Sequence, residues 1–240
     1  MSEPSNTVER YLATETATVY TAVRDFGYEP CSMRNVHSYT PGKKLVGPAK
    51  TLRFIPPRAD IMRETRKGEI SPEYLAMGSC TQGDVLVIDG LGKKHSGIGG
   101  DVKLLHLKMQ GAAGLVTDAA IRDLNAVSEY GLAIFAGGRT VTGGHPEIDP
   151  FEANCTIQCG GVAVRPGDLV VADDDGVVIV PECIITDVIN WVEEHEKVEE
   201  WIKDRVLEEW VAPGKYYPPT EELVRKYHSE RSKGNKDRSH

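Results

Sequence analysis

Apolar residues recur at helical spacing in two long stretches of the chain. In residues 7–26, Val8, Leu12 and Val19 are separated by four and seven positions, which predicts an amphipathic helix. Residues 182–210 show the same period, and acidic residues dominate the positions between the apolar ones. We therefore predict one helix near the start of the chain and one long helix, negative on its outer face, near the end.

Shorter apolar runs and helical stretches alternate between these two helices. Residues 85–88 form an apolar run without polar interruption, which is typical of a strand buried on both faces. The pattern then predicts a helix at 101–110, a strand at 114–117, a helix at 122–130 and a strand at 132–136. This alternation favours parallel strands joined by helices.

The remaining segments are rich in turn residues. Residues 31–60 predict a loop that contains one strand, 49–55, and residues 62–72 are polar enough to lie on the surface. Residues 137–150 predict a glycine-rich loop. Between 156 and 180 the pattern changes to short strands separated by turn signals, which favours antiparallel or barrel-like pairing.

The composition is that of a globular protein and disfavours nucleic-acid binding. Of the 240 residues, 40% are hydrophobic, enough for one sizeable core, and a net charge of −8 is poorly suited to neutralising phosphates. No run reaches 18 apolar residues, and residues 1–4 lack the pattern of a secretory signal. The five cysteines are irregularly spaced, which favours reduced thiols. We expect a cytoplasmic protein with neither nucleic-acid nor membrane partners.

A glycine-rich loop ends directly before the helix predicted at 101–110. Gly100 precedes Asp101 there, and a glycine lets a ligand approach the backbone closely. The free N–H groups of the first helical turn, around Val102 and Lys103, form an anion site. On local grounds an alternative of equal weight is that Asp101 only caps the helix.

Arg122 and Asp123 follow a predicted strand and open a helix, a usual position for a site in an α/β sheet. Alone, they would be interpreted as a helix cap and a surface ion pair of little energy. Asp101 stands at the start of the preceding helix, and two such carboxylates suit Mg²⁺ or Mn²⁺. The guanidinium of Arg122 suits a carboxylate- or enolate-bearing substrate.

The spacing of these residues resembles the signature of a known enzyme family. Asp101, twenty residues and then Arg122-Asp123 is similar to the signature of the class II pyruvate aldolases. That family is typified by 4-hydroxy-4-methyl-2-oxoglutarate / 4-carboxy-4-hydroxy-2-oxoadipate aldolase, and the same fold houses the regulator of ribonuclease activity A, RraA. The resemblance spans residues 7–225, through further similar segments at 14–23, 83–89, 114–123, 166–181 and 217–219.

This resemblance implies a fold and an assembly. The fold would be α/β, an α-β-β-α sandwich of the RraA-like, swivelling-domain type, with a mixed central sheet or barrel and a long C-terminal helix. Residues 1–224 would form a single domain, followed at 225–240 by a flexible tail, which holds six Lys/Arg and two Asp/Glu. The chain would assemble as a homotrimer or homohexamer with active sites at the subunit interfaces.

The resemblance also implies roles for the site residues. Asp123 would ligate a divalent metal, Mg²⁺ or Mn²⁺, directly, and Asp101 would hold it through water. Arg122 would contact the pyruvyl group, while the backbone N–H groups of Gly100, Asp101, Val102 and Lys103 would hold its carboxylate. Arg122 and Asp101 would be the catalytic residues, with a water near Asp101 shuttling the proton. A glutamate of a neighbouring chain would complete the site, and the sequence does not choose among Glu193, Glu194, Glu199 and Glu200.

The implied activity is metal-dependent cleavage of a 4-hydroxy-2-oxo acid by a retro-aldol reaction that releases pyruvate. Oxaloacetate decarboxylation would accompany it, because loss of CO₂ produces the same enolate. An alternative is an RraA-like, non-enzymatic regulator that binds a ribonuclease or helicase, which the acidic composition favours. A Schiff-base aldolase on a (β/α)₈ barrel fits the chain length, but the strands predicted after residue 156 disfavour it.

Several residues depart from the family pattern and leave the acceptor half of the substrate open. Lys103 stands where small or aliphatic residues are expected after the Gly-Gly turn. A basic cluster in the preceding loop consists of Lys93, Lys94 and His95. It is either solvated or faces a second acidic group or a phosphate of the substrate. Arg139 and His145, in the 137–150 loop, have no assigned role.

Overall fold

The computed structural model describes residues 4–144 and 147–237, so His145 lies outside the described residues. The chain divides into two compact units, one extending to Ile189 and the other beginning at Asn190. The first unit contains the sheet and the cleft, and the second contains most of a long helix and the chain's last helix.

Eight helices occur in the described part of the chain. They are α1 Pro4–Leu12, α2 Thr16–Asp25, α3 Ala59–Thr65, α4 Pro72–Gly78, α5 Asp101–Met109, α6 Leu124–Glu129, α7 Ile185–Glu209 and α8 Glu221–Asp237. Short 3-10 helices add Gly68–Ile70, Glu182–Ile184 and Pro213–Lys215. The long helix predicted at 182–210 is confirmed as α7, and α8 covers most of the basic segment that begins at residue 225.

Eleven strands occur in the same described residues. They are β1 His37–Ser38, β2 Leu45–Ile55, β3 Val85–Asp89, β4 Gly97–Gly99, β5 Gly114–Ile121, β6 Ala133–Arg139, β7 Asp149–Ala153, β8 Ile157–Cys159, β9 Val162–Val164, β10 Leu169–Asp173 and β11 Gly176–Val180. Nine of them form one sheet, in which the main path runs β1-β6-β5-β3-β2-β10-β11, while β4 pairs with β5 and β7 with β2. Strands β8 and β9 form a separate hairpin.

The sheet is parallel in its middle and antiparallel at its ends. Strands β2, β3, β5 and β6 pair in parallel, as the strand-helix alternation predicted. Strand β10 pairs antiparallel with both β2 and β11, which confirms the change of pattern after residue 156. This mixture excludes the eight parallel βα units of a (β/α)₈ barrel.

The two ends of the sheet path approach each other, so that the sheet is nearly closed. The segment just before β1 bonds to β11, since Met33 N–H donates to the Val177 carbonyl at 2.9 Å and Ile179 N–H donates to the Cys31 carbonyl at 2.9 Å. Such closure leaves few unpaired edge groups. The mixed, barrel-like sheet and the long C-terminal helix expected from the family resemblance are therefore confirmed.

The central strands are buried on both faces, which explains their continuous apolar sequences. On β3, Leu86 and Ile88 pack in a core cluster that contains residues of α4, α5 and α6. Val85 and Val87 alternate with them and pack in a second cluster, which contains Phe135 and residues of β10 and β11. Side chains on the two faces of one strand thus join separate cores, one under the helices and one enclosed by the curved sheet.

Some sequence predictions differ from the structure. The single helix predicted at 7–26 is wrong, because the chain turns after α1, where the buried Thr14 hydroxyl donates to the Tyr11 carbonyl at 3.0 Å. The polar stretch 62–72 lies largely on the surface, as predicted, and holds the end of α3 and the start of α4. The predicted loop at 137–150 contains the end of β6 and the start of β7, which pairs with the distant β2. Among the described residues, no helix is both long and apolar enough to cross a membrane.

Candidate functional site

The parallel pairing of β4 with β5 brings the predicted site residues together. Gly99 of β4 lies in register with Ile121 of β5, and the Arg122 N–H donates to the Gly99 carbonyl at 2.9 Å. Asp101 and Asp123 follow these strand ends at one edge of the sheet. The fold therefore makes neighbours of residues that are 22 positions apart in the sequence.

The Asp123 carboxylate reaches across to the start of α5. Its Oδ2 accepts a hydrogen bond from the Asp101 backbone N–H at 3.2 Å, where the helix dipole favours a negative charge. A Cβ atom at Gly100 would lie 2.2 Å from this oxygen and 3.1 Å from the Arg122 Cβ. Gly100 is thus required by a close contact between the two loops, and the glycine makes room for Asp123.

Neither aspartate is used as a simple helix cap. The side chain of Asp123 makes no capping hydrogen bond to α6, and its backbone is left-handed, with φ 54°. The Asp101 carboxylate does not cap α5 either, since it accepts a hydrogen bond from the Tyr130 hydroxyl. Neither carboxylate therefore caps the helix that it opens, and strained backbone at such a position is a feature of functional sites.

Tyr130 is a site residue that the sequence did not indicate. It follows α6, and the hydrogen bond to Asp101 raises the pKa of its hydroxyl. Nothing in the local pattern marks it, because its proximity to Asp101 depends on how α5 and α6 pack. The bond fixes one oxygen of Asp101.

Arg122 is half-buried beside glycine backbone. A Cβ atom at Gly97 would lie 2.7 Å from the Arg122 Cγ, so a side chain there would displace the arginine. The buried Arg122 Nε has no hydrogen-bond partner within residues 4–144 and 147–237, and Arg122 forms no ion pair there. A buried guanidinium N–H without an acceptor indicates that a ligand or water supplies one.

These residues line an open cleft of about 1140 Å³. Its wall contains every residue predicted to touch substrate or metal: Gly100, Asp101, Val102, Lys103, Arg122 and Asp123. It also contains Glu73 from α4, Arg139 at the end of β6, and residues 140, 141, 143 and 144. The cleft has room for a ligand larger than pyruvate.

Lys103 does not project as a free cation. Its Nζ lies 2.6 Å from Glu73 Oε2, and Glu73 is only 13% exposed. In the first turn of α5, the Asp101 N–H is bonded to Asp123 and the Leu104 N–H donates to the Gly100 carbonyl at 3.0 Å. Within the described chain, the N–H groups of Val102 and Lys103 lack such partners, which makes them the available anion donors of the predicted set.

The basic cluster of the preceding loop lies outside the cleft wall. Lys93 Nζ is 3.6 Å from Glu147 Oε1, and neither Lys94 nor His95 lines the cleft. The solvated-loop interpretation fits these three residues better. The glutamates proposed to complete a neighbour's site, Glu193, Glu194, Glu199 and Glu200, all belong to the second compact unit, and their role stays a prediction.

The donor set fits a magnesium-like ion better than a zinc ion. Residues 4–144 and 147–237 contain no group of three or more His, Cys, Asp or Glu side chains positioned to hold a metal. Zinc sites usually require three or four such ligands. Mg²⁺ keeps several waters and binds through one or two carboxylates, which Asp101 and Asp123 supply in the cleft without competing ion pairs among the described residues.

Fold and cleft together define a mixed α/β protein with a nearly closed sheet and an Asp/Arg-Asp cleft at the ends of its parallel strands. The chain belongs to the RraA-like family, described as Aldolase/RraA, which it matches over residues 16–179. The family resemblance seen in the sequence is thereby confirmed.

One curated relative is named a putative 4-hydroxy-4-methyl-2-oxoglutarate aldolase, from Halalkalibacterium halodurans. It is 37% identical over 139 residues, which are 58% of this chain and 60% of the relative. An uncharacterised protein of Methanocaldococcus jannaschii is 29% identical over 51% of this chain and 59% of its own length. The matched segment thus spans about three fifths of each of these two relatives.

Among solved structures, Streptomyces coelicolor RraAS2 matches with a TM-score of 0.76 and 31% identity, covering 83% of this chain and 98% of that one. It is described as an unusual member of the RNase ES inhibitor RraA protein family. An uncharacterised protein from Pseudomonas syringae matches with a TM-score of 0.73 at 20% identity, covering 88% of this chain and 96% of that one. The latter likeness concerns the fold alone.

Proposed function

We propose that this chain is a divalent-metal-dependent lyase that cleaves a 4-hydroxy-2-oxo acid by a retro-aldol reaction and releases pyruvate. The convergence of Asp101, Arg122 and Asp123 in one open cleft carries this proposal. The relative named a putative aldolase supports the reaction class.

In this proposal each group of the cleft has a defined role. Asp123 would ligate Mg²⁺ or Mn²⁺ directly, Asp101 would hold it through water, and the ion would supply Lewis-acid stabilisation of negative charge. The N–H groups of Val102 and Lys103 bind the carboxylate of the pyruvyl group at the positive end of α5. The Arg122 guanidinium donates to the 2-oxo oxygen, and its buried Nε thereby gains an acceptor.

The reaction needs a base that removes a proton from the substrate and a later step that returns a proton to the product. A water held by Asp101 accepts the proton of the C4 hydroxyl, the C3–C4 bond breaks, and C4 becomes a carbonyl carbon. The electron pair of that bond forms the enolate of pyruvate, whose oxygen faces the fixed charge of Arg122. Return of that proton from the water to C3 then completes pyruvate. Oxaloacetate would lose CO₂ with its C3–C4 electron pair entering the same enolate, so decarboxylation is expected as a side activity.

We also propose that the chain works as a homotrimer or homohexamer with its clefts at the interfaces. Helix α5 carries an apolar stripe on one exposed side, in which Val102 is 80%, Leu105 42% and Met109 74% exposed. Residues three and four apart share a helix face. A contiguous exposed apolar stripe is typical of a protein interface, and Val102 also lines the cleft.

The decisive test is pyruvate release from a panel of 4-hydroxy-2-oxo acids and oxaloacetate, coupled to a dehydrogenase. We expect turnover that needs Mg²⁺ or Mn²⁺ and is abolished by EDTA. Arg122→Ala should lower kcat by about 10²- to 10³-fold, the usual effect of removing one donor to a developing oxyanion. Arg63→Ala, which changes an exposed arginine of α3 outside the cleft wall, is the matched control. Activity that survives both EDTA and Arg122→Ala would overturn the proposal.

A second candidate function is that of an RraA-like regulator that binds a ribonuclease or helicase. The favouring observation is the likeness to RraAS2, which covers 98% of that chain. The test is RNA cleavage by a ribonuclease of that class, with and without this protein. Inhibition that is unchanged by Arg122→Ala, together with absent lyase turnover, would favour the regulator over the enzyme.

A further inference from the structure

The charges of the side chains that line the cleft indicate the charge of its ligand. Among the described residues, six charged side chains lie in its wall: Glu73, Asp101, Lys103, Arg122, Asp123 and Arg139. Glu73 and Lys103 neutralise each other at 2.6 Å. A divalent cation at Asp101 and Asp123, as in the proposed function, neutralises those two carboxylates. Two guanidinium groups then remain, and the pyruvyl half of a substrate supplies an anion for only one of them.

Arg139 carries the guanidinium group for which the pyruvyl half of the substrate supplies no anion. It lies at the end of β6, in register with Ile121 of the neighbouring parallel strand, so its backbone is adjacent to that of Arg122. Neighbouring strands are about 4.8 Å apart, and both arginines line the same cleft. The side chain is exposed and forms no ion pair or side-chain hydrogen bond with the described residues, whereas many other arginines of this chain do.

We infer that Arg139 forms a second anion subsite, which binds a distal carboxylate on the acceptor half of a dianionic 2-oxo acid. This inference rests on the proposed function and identifies the specificity-determining residue of the same cleft. A guanidinium matches a carboxylate through two parallel N–H donors, so it discriminates a carboxylate from a methyl group of similar size. Lys93, Lys94 and His95, the other cations considered for this task, do not line the cleft.

A pair of uncleavable ligands tests the subsite directly. 2-Oxoglutarate and 2-oxopentanoate share the 2-oxo acid, but the former ends in a carboxylate and the latter in a methyl group. Neither carries a 4-hydroxyl, so binding to the full chain with Mg²⁺ can be measured by calorimetry without turnover. We expect 2-oxoglutarate to bind at least tenfold more tightly. Arg139→Ala should abolish this preference and leave 2-oxopentanoate affinity unchanged, while Arg139→Lys keeps part of it and Arg63→Ala keeps all of it.

The outcomes separate the subsite from the lyase. Equal affinity of the wild type for both ligands, or an Arg139→Ala variant that keeps the preference, overturns the subsite and leaves the lyase standing. An Arg139→Ala variant that loses both ligands equally, while its melting temperature is unchanged, also overturns it. If the wild type binds neither ligand, the pyruvyl site itself is absent, and the proposed function and the subsite both fail.

Discussion

The carboxylate of Asp123 occupies the space that a side chain at position 100 would need. A methyl group at Gly100 would lie 2.2 Å from Asp123 Oδ2, so Gly100→Ala should displace the proposed metal ligand without unfolding the chain. Displacements of about 1 Å at a reacting centre cost roughly 10²-fold in rate. We expect a loss of that size in kcat/KM for pyruvate release, with a small change in melting temperature. Gly214→Ala is the control, because a Cβ atom there meets nothing within 4 Å. Full activity of Gly100→Ala would contradict the arrangement.

Asp89 lies near the same edge of the sheet, and it affects the stability of the fold rather than catalysis. It is buried, and Gln158 donates through its Nε2 to Asp89 at 2.6 Å and to the buried Asp118 at 3.0 Å. Burial, with the Asp118 charge adding to it, raises the pKa of Asp89 above its usual value. The folded state therefore binds this proton more tightly than the unfolded state. The stabilisation that this proton gives to the folded state is complete below the pKa of Asp89 in the unfolded chain, and it is lost as pH rises through the pKa of Asp89 in the folded chain.

Replacing Asp89 should therefore change how stability depends on pH. The free energy of unfolding of Asp89→Asn, relative to that of the wild type, should be higher at pH 7 than at pH 4. The reason is that burial penalises only the charged form of Asp89. Urea unfolding at both pH values measures the difference. Asp60→Asn is a control of opposite sign, since the hydrogen bond from Arg58 lowers the pKa of Asp60. A pH dependence identical to that of the wild type would show that burial does not govern Asp89.

Among the helices and strands, the sequence predicted those that are determined by local patterns of residues. The strands of the parallel centre were found from apolar runs, and α5 from the pattern of residues 101–110. Strand β4 was missed, because Gly97–Gly99 has no strand preference of its own and exists through pairing with β5. Helix α6 begins two residues later than predicted, since Asp123 adopts a left-handed conformation that a helix does not use.

The same distinction explains which site residues were found. Asp101, Arg122 and Asp123 sit at element boundaries, where spacing in the sequence translates into proximity across adjacent parallel strands. Tyr130 and Glu73 reach the site through the packing of helices, which no local pattern encodes. Arg139 was noticed as a charge in a loop, but only the register of β6 against β5 places it beside Arg122.

For the whole molecule, the apolar stripe of α5 makes assembly testable. If Val102, Leu105 and Met109 face another copy, a charge in the stripe should break the interface, because an unpaired buried charge is strongly unfavourable. Leu105→Asp is expected to convert a species of three or six times the 26.3 kDa chain into smaller ones in light scattering after gel filtration. Leu12→Asp is the matched control, since Leu12 is 45% exposed against 42% for Leu105 and lies in α1. A monomeric wild type, or a Leu105→Asp variant of unchanged mass, would contradict the assembly.

If the clefts lie at the interfaces, pyruvate release should fall together with the mass of the Leu105→Asp variant while its melting curve still shows a folded chain.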